Sequence, residues 1–416
     1  MSDEAGRASF ASVLAVREFR WLWSASVQSL AGDQLARVAL AVLVYARTGS
    51  GLWTAVTYAL TFLPAFFGGL FLGGIADRYS RRGVIVTCDL VRASLFATMA
   101  LPHVPLALLV VLLTCATVIG AVFQAAEPAL VADLFDGPRY STALSLRTVT
   151  FQGAQLLGFG AGGVIVAVVG ARPALLVDAV TFLVSAGLLR TGLQARPAAA
   201  AGDDSHRGPG SLLAGVRLVS ANRALLVLIG FAGLTALWVI PEGLAAPYAA
   251  MTGGGAAATG ILMAAIPVGN VLGALAFARL SRAWQRKVLA PLAVLAGVPL
   301  IACGPEPGLV GTIALWALAG VFTACLIQVN AEYIGTAPAE HRGQAIGVLN
   351  AAILTGQGLG LLLGGALSQA ASPAAAIAAA GGIATTLALA LAFARARLSH
   401  HMVAEPADPV AKTVSG

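Results

Sequence analysis

Residues 73–82 read GGIADRYSRR. The stretch follows an apolar run that includes Leu70, Phe71 and Leu72 and precedes another, Val84, Ile85 and Val86. Asp77, Arg78, Arg81 and Arg82 are therefore wedged between two hydrophobic segments. A soluble core does not accept that arrangement, because unpaired buried charge is costly. In a membrane protein it is a short cytoplasmic loop, with a carboxylate set at the very end of a helix.

The rest of the chain agrees. Its 416 residues are 58% hydrophobic and 10% charged, against roughly 25% charged in soluble domains. The mean hydropathy is +0.87. Apolar runs of about 20 residues, long enough to cross a hydrocarbon layer as helices, recur throughout. The 48 glycines suit helices that approach closely in lipid. The fold class is an all-α membrane protein. Twelve spans are expected, roughly at 20–45, 52–76, 83–102, 105–127, 143–168, 173–190, 223–248, 257–279, 288–303, 308–330, 344–369 and 374–394.

The net charge of +7 comes from basic residues in short loops. No basic stripe interleaved with aromatics occurs, so the expected partners are the lipid bilayer and a small-molecule substrate, not nucleic acid. With an N-terminus inside, Arg47 and Arg172 are the loop and span-end arginines that fall outside. That asymmetry puts both termini in the cytoplasm. Lys occurs only at 287 and 412 against abundant Arg and Ala, which points to a bacterial cytoplasmic membrane. Residues 1–18 lack a continuous apolar stretch of the signal-peptide kind, so the first span directs insertion. Cys88, Cys115, Cys303 and Cys325 lie isolated in apolar runs and make neither a disulfide framework nor a metal site.

Between 191 and 222 the spans pause. The Ala-, Gly-, Pro- and Asp-rich part reads as a flexible linker. Leu212, Leu213, Val216 and Val219 then share one face of a short interfacial helix. The expected organisation is a six-helix bundle over 1–190, this linker over 191–222, a second bundle over 223–394 and a cytoplasmic tail over 395–416. The halves echo each other. Arg20 and Arg223 lie 203 apart, as do Pro64 and Pro267. Gln155, Gly158, Gly162 and Gly163 recur as Gln357, Gly360, Gly364 and Gly365, at an offset of 202. A steady offset over several spans indicates two parallel repeats, an architecture that puts its site at the midplane between halves.

GGIADRYSRR resembles the loop motif between the second and third helices of the major facilitator superfamily, Gly-x-Leu-Ala-Asp-Arg-x-Gly-Arg-Arg. Ile75 replaces the Leu, and Ser80 replaces the later Gly. Three stretches resemble the branch holding macrolide and siderophore exporters: FRWLWSASVQSLAGDQLARVAL in the first span, EPALVADLF after the fourth and PAEHRGQAIG before the eleventh. The resemblance implies a gating motif of Gly73, Gly74, Asp77, Arg78, Arg81 and Arg82. Asp77 sits at its own helix's C-terminus, where a carboxylate opposes the macrodipole and needs a partner. The resemblance implies that it faces the start of the eleventh helix, near Gly343. Glycine runs in the fifth and eleventh spans loosely resemble an antiporter signature, although its proline is missing from both.

Ionisable residues inside spans are candidates for coupling. Asp33 and Arg37 lie four apart on one face of the first span, the acid-first spacing of a local pair. Glu127, before Pro128, has Arg147 of the fifth span at a similar depth. Glu242 follows Pro241 in the seventh span. Asp89 with Arg92, and Asp178, read as structural groups. Gln28, Gln155, Trp238, Asn270, Gln328, Asn350 and Gln357 are the candidates for a substrate cavity, whose few amides and one large ring suit a bulky, mostly apolar solute. The five histidines form no nucleophile arrangement and no GxxxxGK[ST] phosphate loop occurs, so neither an enzyme nor an ATPase is expected. No cofactor or metal is implied. The expectation is a monomeric secondary transporter that uses the proton gradient to export a drug-like or siderophore-like molecule by alternating access. An uptake carrier and a transport-inactive membrane sensor are the alternatives.

Overall fold

The structure is a computed structural model that describes residues 9–72, 79–194 and 209–404. A single turn, α1 (Phe10–Leu14), leads into α2 (Arg17–Thr48). α2 stops at Gly49, whose φ of 60° is a left-handed end that glycine adopts without a Cβ clash. Ser50 then accepts from the Trp53 N–H and starts α3 (Gly51–Ala59), so the chain reverses at once. α4 (Leu63–Leu72) continues the line of α3. α5 (Arg81–Met99), α6 (Leu106–Leu134), α7 (Gly137–Val169) and α8 (Ala171–Gly192) complete the N-terminal half.

α9 (Pro209–Ala221) precedes the second half. There the first spanning line is broken into α10 (Arg223–Gly233), α11 (Thr235–Trp238), α12 (Ile240–Gly243) and α13 (Ala245–Met251). α14 (Ala256–Ala278) and α15 (Arg282–Ile301) follow. α16 (Gly308–Phe322) and α17 (Cys325–Thr336) form another broken line, and a 3₁₀ turn (Ala339–His341) opens α18 (Arg342–Ala370). α19 (Pro373–Ala404) is the last helix and runs past residue 394, where the sequence suggests a tail.

Among the described residues, ten helices are long and apolar enough to cross a membrane, against twelve expected. The lines that fall short are α5 and α15. Their first two turns hold Arg81 and Arg82, and Arg282, Arg286 and Lys287, and α5 also contains Asp89 and Arg92. The apolar part of each is correspondingly short. Both still pack as full members of their halves, α5 against α6 and α8, α15 against α16 and α19. Side chains such as Val168, Val310, Leu157 and Leu363 point outward and are well exposed, as suits a surface solvated by lipid. All four cysteines are free thiols.

The halves meet near the ends of their helices opposite the arginine-rich ends. α7 and α14 cross at Gly163 and Gly260, where a Cβ on Gly163 would sit 2.7 Å from the Gly260 Cα. Only glycine permits that approach. α18 lies against α3, with Gly365 on Ala55 and Leu52. Ser50 Oγ donates to Gln369 Oε1 at 2.9 Å across the same seam. At the arginine-rich end, the fastenings described run within each half. Arg395 pairs with Glu332 at 2.9 Å in one half, and Gln194 N donates to Glu18 at 3.3 Å in the other.

Residues 195–208 of the predicted linker lie outside the described residues, as do 405–416 of the tail. α9 is a helix, but its apolar face divides. Gly215 and Val219 are buried, with Gly215 against Gln344 and Val348 of α18, whereas Leu213 and Val216 are exposed. α9 therefore braces the start of α18 besides presenting an apolar edge.

Candidate functional site

Three spanning lines lose their regular hydrogen bonding at mid-depth. Between α3 and α4, ahead of Pro64, Thr61 Oγ1 donates to the Tyr58 carbonyl at 2.7 Å. Around α11 and α12, Pro241 lacks an N–H and Thr235 Oγ1 donates to the Ala232 carbonyl at 2.7 Å. Between α16 and α17, Thr323 Oγ1 donates both to the Gly320 carbonyl at 2.7 Å and to Asn270 Oδ1 at 2.5 Å. Non-helical backbone at membrane depth survives where it borders protein or a water-accessible cavity. All three breaks border a cavity of about 600 Å³ between the halves.

The cavity wall draws on both halves. Arg37, Phe62, Gln124, Phe151 and Gln155 come from the first, and Trp238, Glu242, Asn270 and Gln357 from the second. The lining extends from Glu242 to Gly69, toward the arginine-rich end. At the opposite end Tyr58 Oη donates to Glu242 Oε2 at 2.6 Å, a buried hydrogen bond from one half to the other. The Arg37 guanidinium carbon stands 5.8 Å from the ring centroids of both Tyr58 and Phe62. A cation over aromatic faces and a carboxylate bonded by the same tyrosine thus form one unit, Arg37–Tyr58–Glu242.

Of the seven cavity candidates, Gln155, Trp238, Asn270 and Gln357 line this space. Gln28, Gln328 and Asn350 do not. Gln28 Nε2 is buried without a partner among the described residues. Gln328 donates to Glu332 at 2.8 Å, beside the Arg395 ion pair. Asn350 is exposed, two turns before Gln357 on α18. Depth in a span is readable from sequence, but the direction a side chain faces is not when the helix is apolar all round. Gln124, Thr61, Thr235 and Thr323 are cavity residues that sequence reasoning missed. The threonines beside Pro64, Pro241 and the α16–α17 break were the available signal.

The coupling candidates separate. Asp33 does not pair with Arg37. Its Oδ1 accepts from Arg92 Nη2 of α5 at 2.5 Å. Asp33 faces α5 and α8 inside its own half, while Arg37, one turn on, reaches toward the other. Asp89 and Arg92 are not a pair either, since Asp89 Oδ2 accepts from Ser185 Oγ of α8 at 2.5 Å. Glu127 accepts from Arg147 Nε at 2.9 Å and from Ser26 Oγ at 2.8 Å, joining α2, α6 and α7.

Of the loop motif, Gly73, Gly74, Asp77 and Arg78 lie outside the described residues. Arg81 is ion-paired with Asp133 and donates to the Ala129 carbonyl at 3.0 Å. Arg82 donates to the Arg190 carbonyl in the last turn of α8. A cation there complements the negative end of that helix dipole. These two arginines fasten the start of α5 to the ends of α6 and α8.

The profile of the Major Facilitator Superfamily matches residues 22–302 and 243–413. The multidrug efflux pump Tap of Mycobacterium tuberculosis (strain ATCC 25618 / H37Rv) is 28% identical over 370 residues, covering 83% of this chain and 85% of Tap. The MFS-type transporter YkuC of Bacillus subtilis is 28% identical over 180 residues, covering 42% of this chain and 41% of YkuC. Among solved structures, a POT family transporter in complex with 5-aminolevulinic acid superposes with a TM-score of 0.72 at 13% identity, over 95% of this chain and 99% of that one. At that identity the likeness speaks for the fold alone.

Proposed function

We propose that this chain, which belongs to the major facilitator superfamily, exports bulky, largely apolar molecules across the bacterial cytoplasmic membrane by alternating access, driven by the proton gradient. The observation that carries the reading is the cavity between the halves, with a buried carboxylate of one half bonded to a tyrosine of the other at its closed end. The likeness to a multidrug efflux pump over 83% of the chain supports the direction.

The cavity suits such a cargo. Its polar groups are mainly amides and threonine hydroxyls spread over aromatic and aliphatic walls, which orient a solute without demanding one charge pattern. The arginine-rich ends face the cytoplasm, by the positive-inside bias. The present arrangement then accepts cargo from inside and is closed outside.

Glu242 acts as the proton site. As a carboxylate it takes a charge-assisted hydrogen bond from Tyr58, and the Arg37 cation stands by the same ring. Cargo entering from the inside spreads the cavity walls beside Arg37 and parts the Tyr58–Glu242 pair, so the outer ends separate. Glu242 then takes a proton from the outside as cargo leaves, and closure of the halves returns it to Tyr58 with loss of that proton to the inside. Arg37 orients the pair and supplies compensating positive charge throughout.

The test is accumulation of a fluorescent lipophilic dye in a pump-deficient bacterial strain. Cells expressing the chain hold less dye than cells with an empty vector, and an uncoupler abolishes the difference. Greater accumulation on expression would favour uptake. An unchanged difference under the uncoupler would remove the proton from the mechanism.

A further inference from the structure

A second set of charged groups lies inside the N-terminal half, away from the cavity wall. α2, α5 and α8 enclose three carboxyls, Asp33, Asp89 and Asp178, and one guanidinium, Arg92. Arg92 Nη2 holds Asp33 Oδ1, and its guanidinium carbon lies 4.0 Å from the centroid of the Phe182 ring. Asp89 and Asp178 have no exposed surface at all. One oxygen of each is bonded, to Ser185 at 2.5 Å and to Thr181 at 3.1 Å. The other oxygens, Asp89 Oδ1 and Asp178 Oδ2, have no partner among the described residues. Gly32 brings α2 onto this set, since a Cβ there would meet the Asp178 carboxyl and the Thr181 hydroxyl.

The neighbours can be named from each packed helix. Asp89 feels Arg92 on its own helix, Asp33 on α2 and Glu127 on α6. Asp178 feels Asp33 on α2 and both Arg92 and Asp89 on α5. Glu127 is already occupied by Arg147 and Ser26. One guanidinium, engaged by Asp33, therefore faces two further carboxyls sealed from water. Two unpaired negative charges in that interior cost far more than two bound protons.

We propose that Asp89 and Asp178 are proton-binding sites, each carrying a proton in this arrangement, with Arg92 as the shared counter-ion. Asp33 is the carboxylate that stays ionised. Its side chain is 21% exposed, whereas those of Asp89 and Asp178 are sealed. When Arg92 swings from Asp33 to Asp89, one turn away on α5, Asp89 releases its proton and Asp33 takes one up. Arg92 keeps its charge and the number of protons is unchanged; only their location moves. Proton occupancy follows from burial alone. Its use in driving export, in addition to Glu242, rests on the proposed function.

Infrared spectroscopy of the full chain in lipid at neutral pH tests this, with aspartate labelled by carbon-13 at the side-chain carboxyl. Wild type shows a protonated-carboxyl C=O band that the label shifts, which separates aspartic acids from Glu242 and Glu127. Asp89→Asn and Asp178→Asn each remove one component of it, whereas Asp33→Asn, which frees Arg92 for Asp89, weakens the Asp89 component and leaves that of Asp178. A wild-type spectrum with no label-shifted band overturns the proposal, whether or not the variants fold. So does a band left undiminished by either substitution. Neither result bears on dye export, so the two readings fail separately.

Discussion

Asp33 decides how the first helix is understood. Four residues separate it from Arg37, and a local pair is the natural reading of such spacing. The partner comes instead from α5, at 2.5 Å. Arg92 also rests on the Phe182 ring, which fixes its position before Asp33 is considered. A double-mutant cycle on stability in detergent separates the two readings. Asp33→Asn with Arg92→Gln should show a coupling energy of about 1 kcal/mol or more, and Asp33→Asn with Arg37→Gln less than about 0.5 kcal/mol. The reverse order would restore the local pair. Tyr58→Phe probes the other half of the split. It deletes the donor to Glu242, a hydrogen bond to a charged group and so worth about 1.5–3 kcal/mol. Spin labels flanking the α3–α18 seam should report a roughly tenfold or larger shift toward separated ends. An unchanged distance distribution would mean that Tyr58 does not hold the seam.

At the scale of elements, the glycines have two distinct uses. Gly163 and Gly260 touch across the halves, in a contact that belongs to the closed seam. Gly269, by contrast, lies against the Ala317 backbone of α16 within one half. Gly260→Leu should therefore abolish transport while leaving the melting temperature within a few degrees, because the halves can part there. Gly269→Leu should lower the melting temperature, because its neighbours have nowhere to go; overpacking of this kind costs about 1–3 kcal/mol. If Gly260→Leu unfolds the protein as readily as Gly269→Leu, the seam is a fixed interface. Much at this scale was legible in advance. The offset of 202 joining Gln155 to Gln357 and Gly163 to Gly365 indicated duplicated halves, and these residues lie at or near the seam and cavity. The breaks around Thr61, Trp238 and Thr323 were not legible. An apolar run looks continuous whether or not its backbone turns aside, and only Pro64 and Pro241 hinted at it.

For the whole molecule, a cavity of about 600 Å³ lies between two halves that, among the described residues, are fastened to each other beyond Glu242, an arrangement that suits alternating access. Depth along each span was readable from the chain, and so was the family likeness in GGIADRYSRR. The Glu127–Arg147 pair was readable too, but the partners of Asp33 and Asp89 were not, because pairing across helices depends on their rotation, which helices apolar on every face do not record. Hence Arg81 and Arg82 turn out to tie α5 to α6 and α8, and Glu242, placed near a span end on the sequence, stands at the seam between halves. The central claim is that cargo and proton exchange across this seam at Glu242. Its most direct measurement uses purified protein in liposomes loaded with a pH indicator, with an outward cargo gradient and no initial pH gradient. Wild type should move protons against the cargo flow, and Glu242→Gln should move cargo between equal pools without moving protons. Cargo flux in wild type with no proton movement, or proton movement undiminished in Glu242→Gln, would contradict the account.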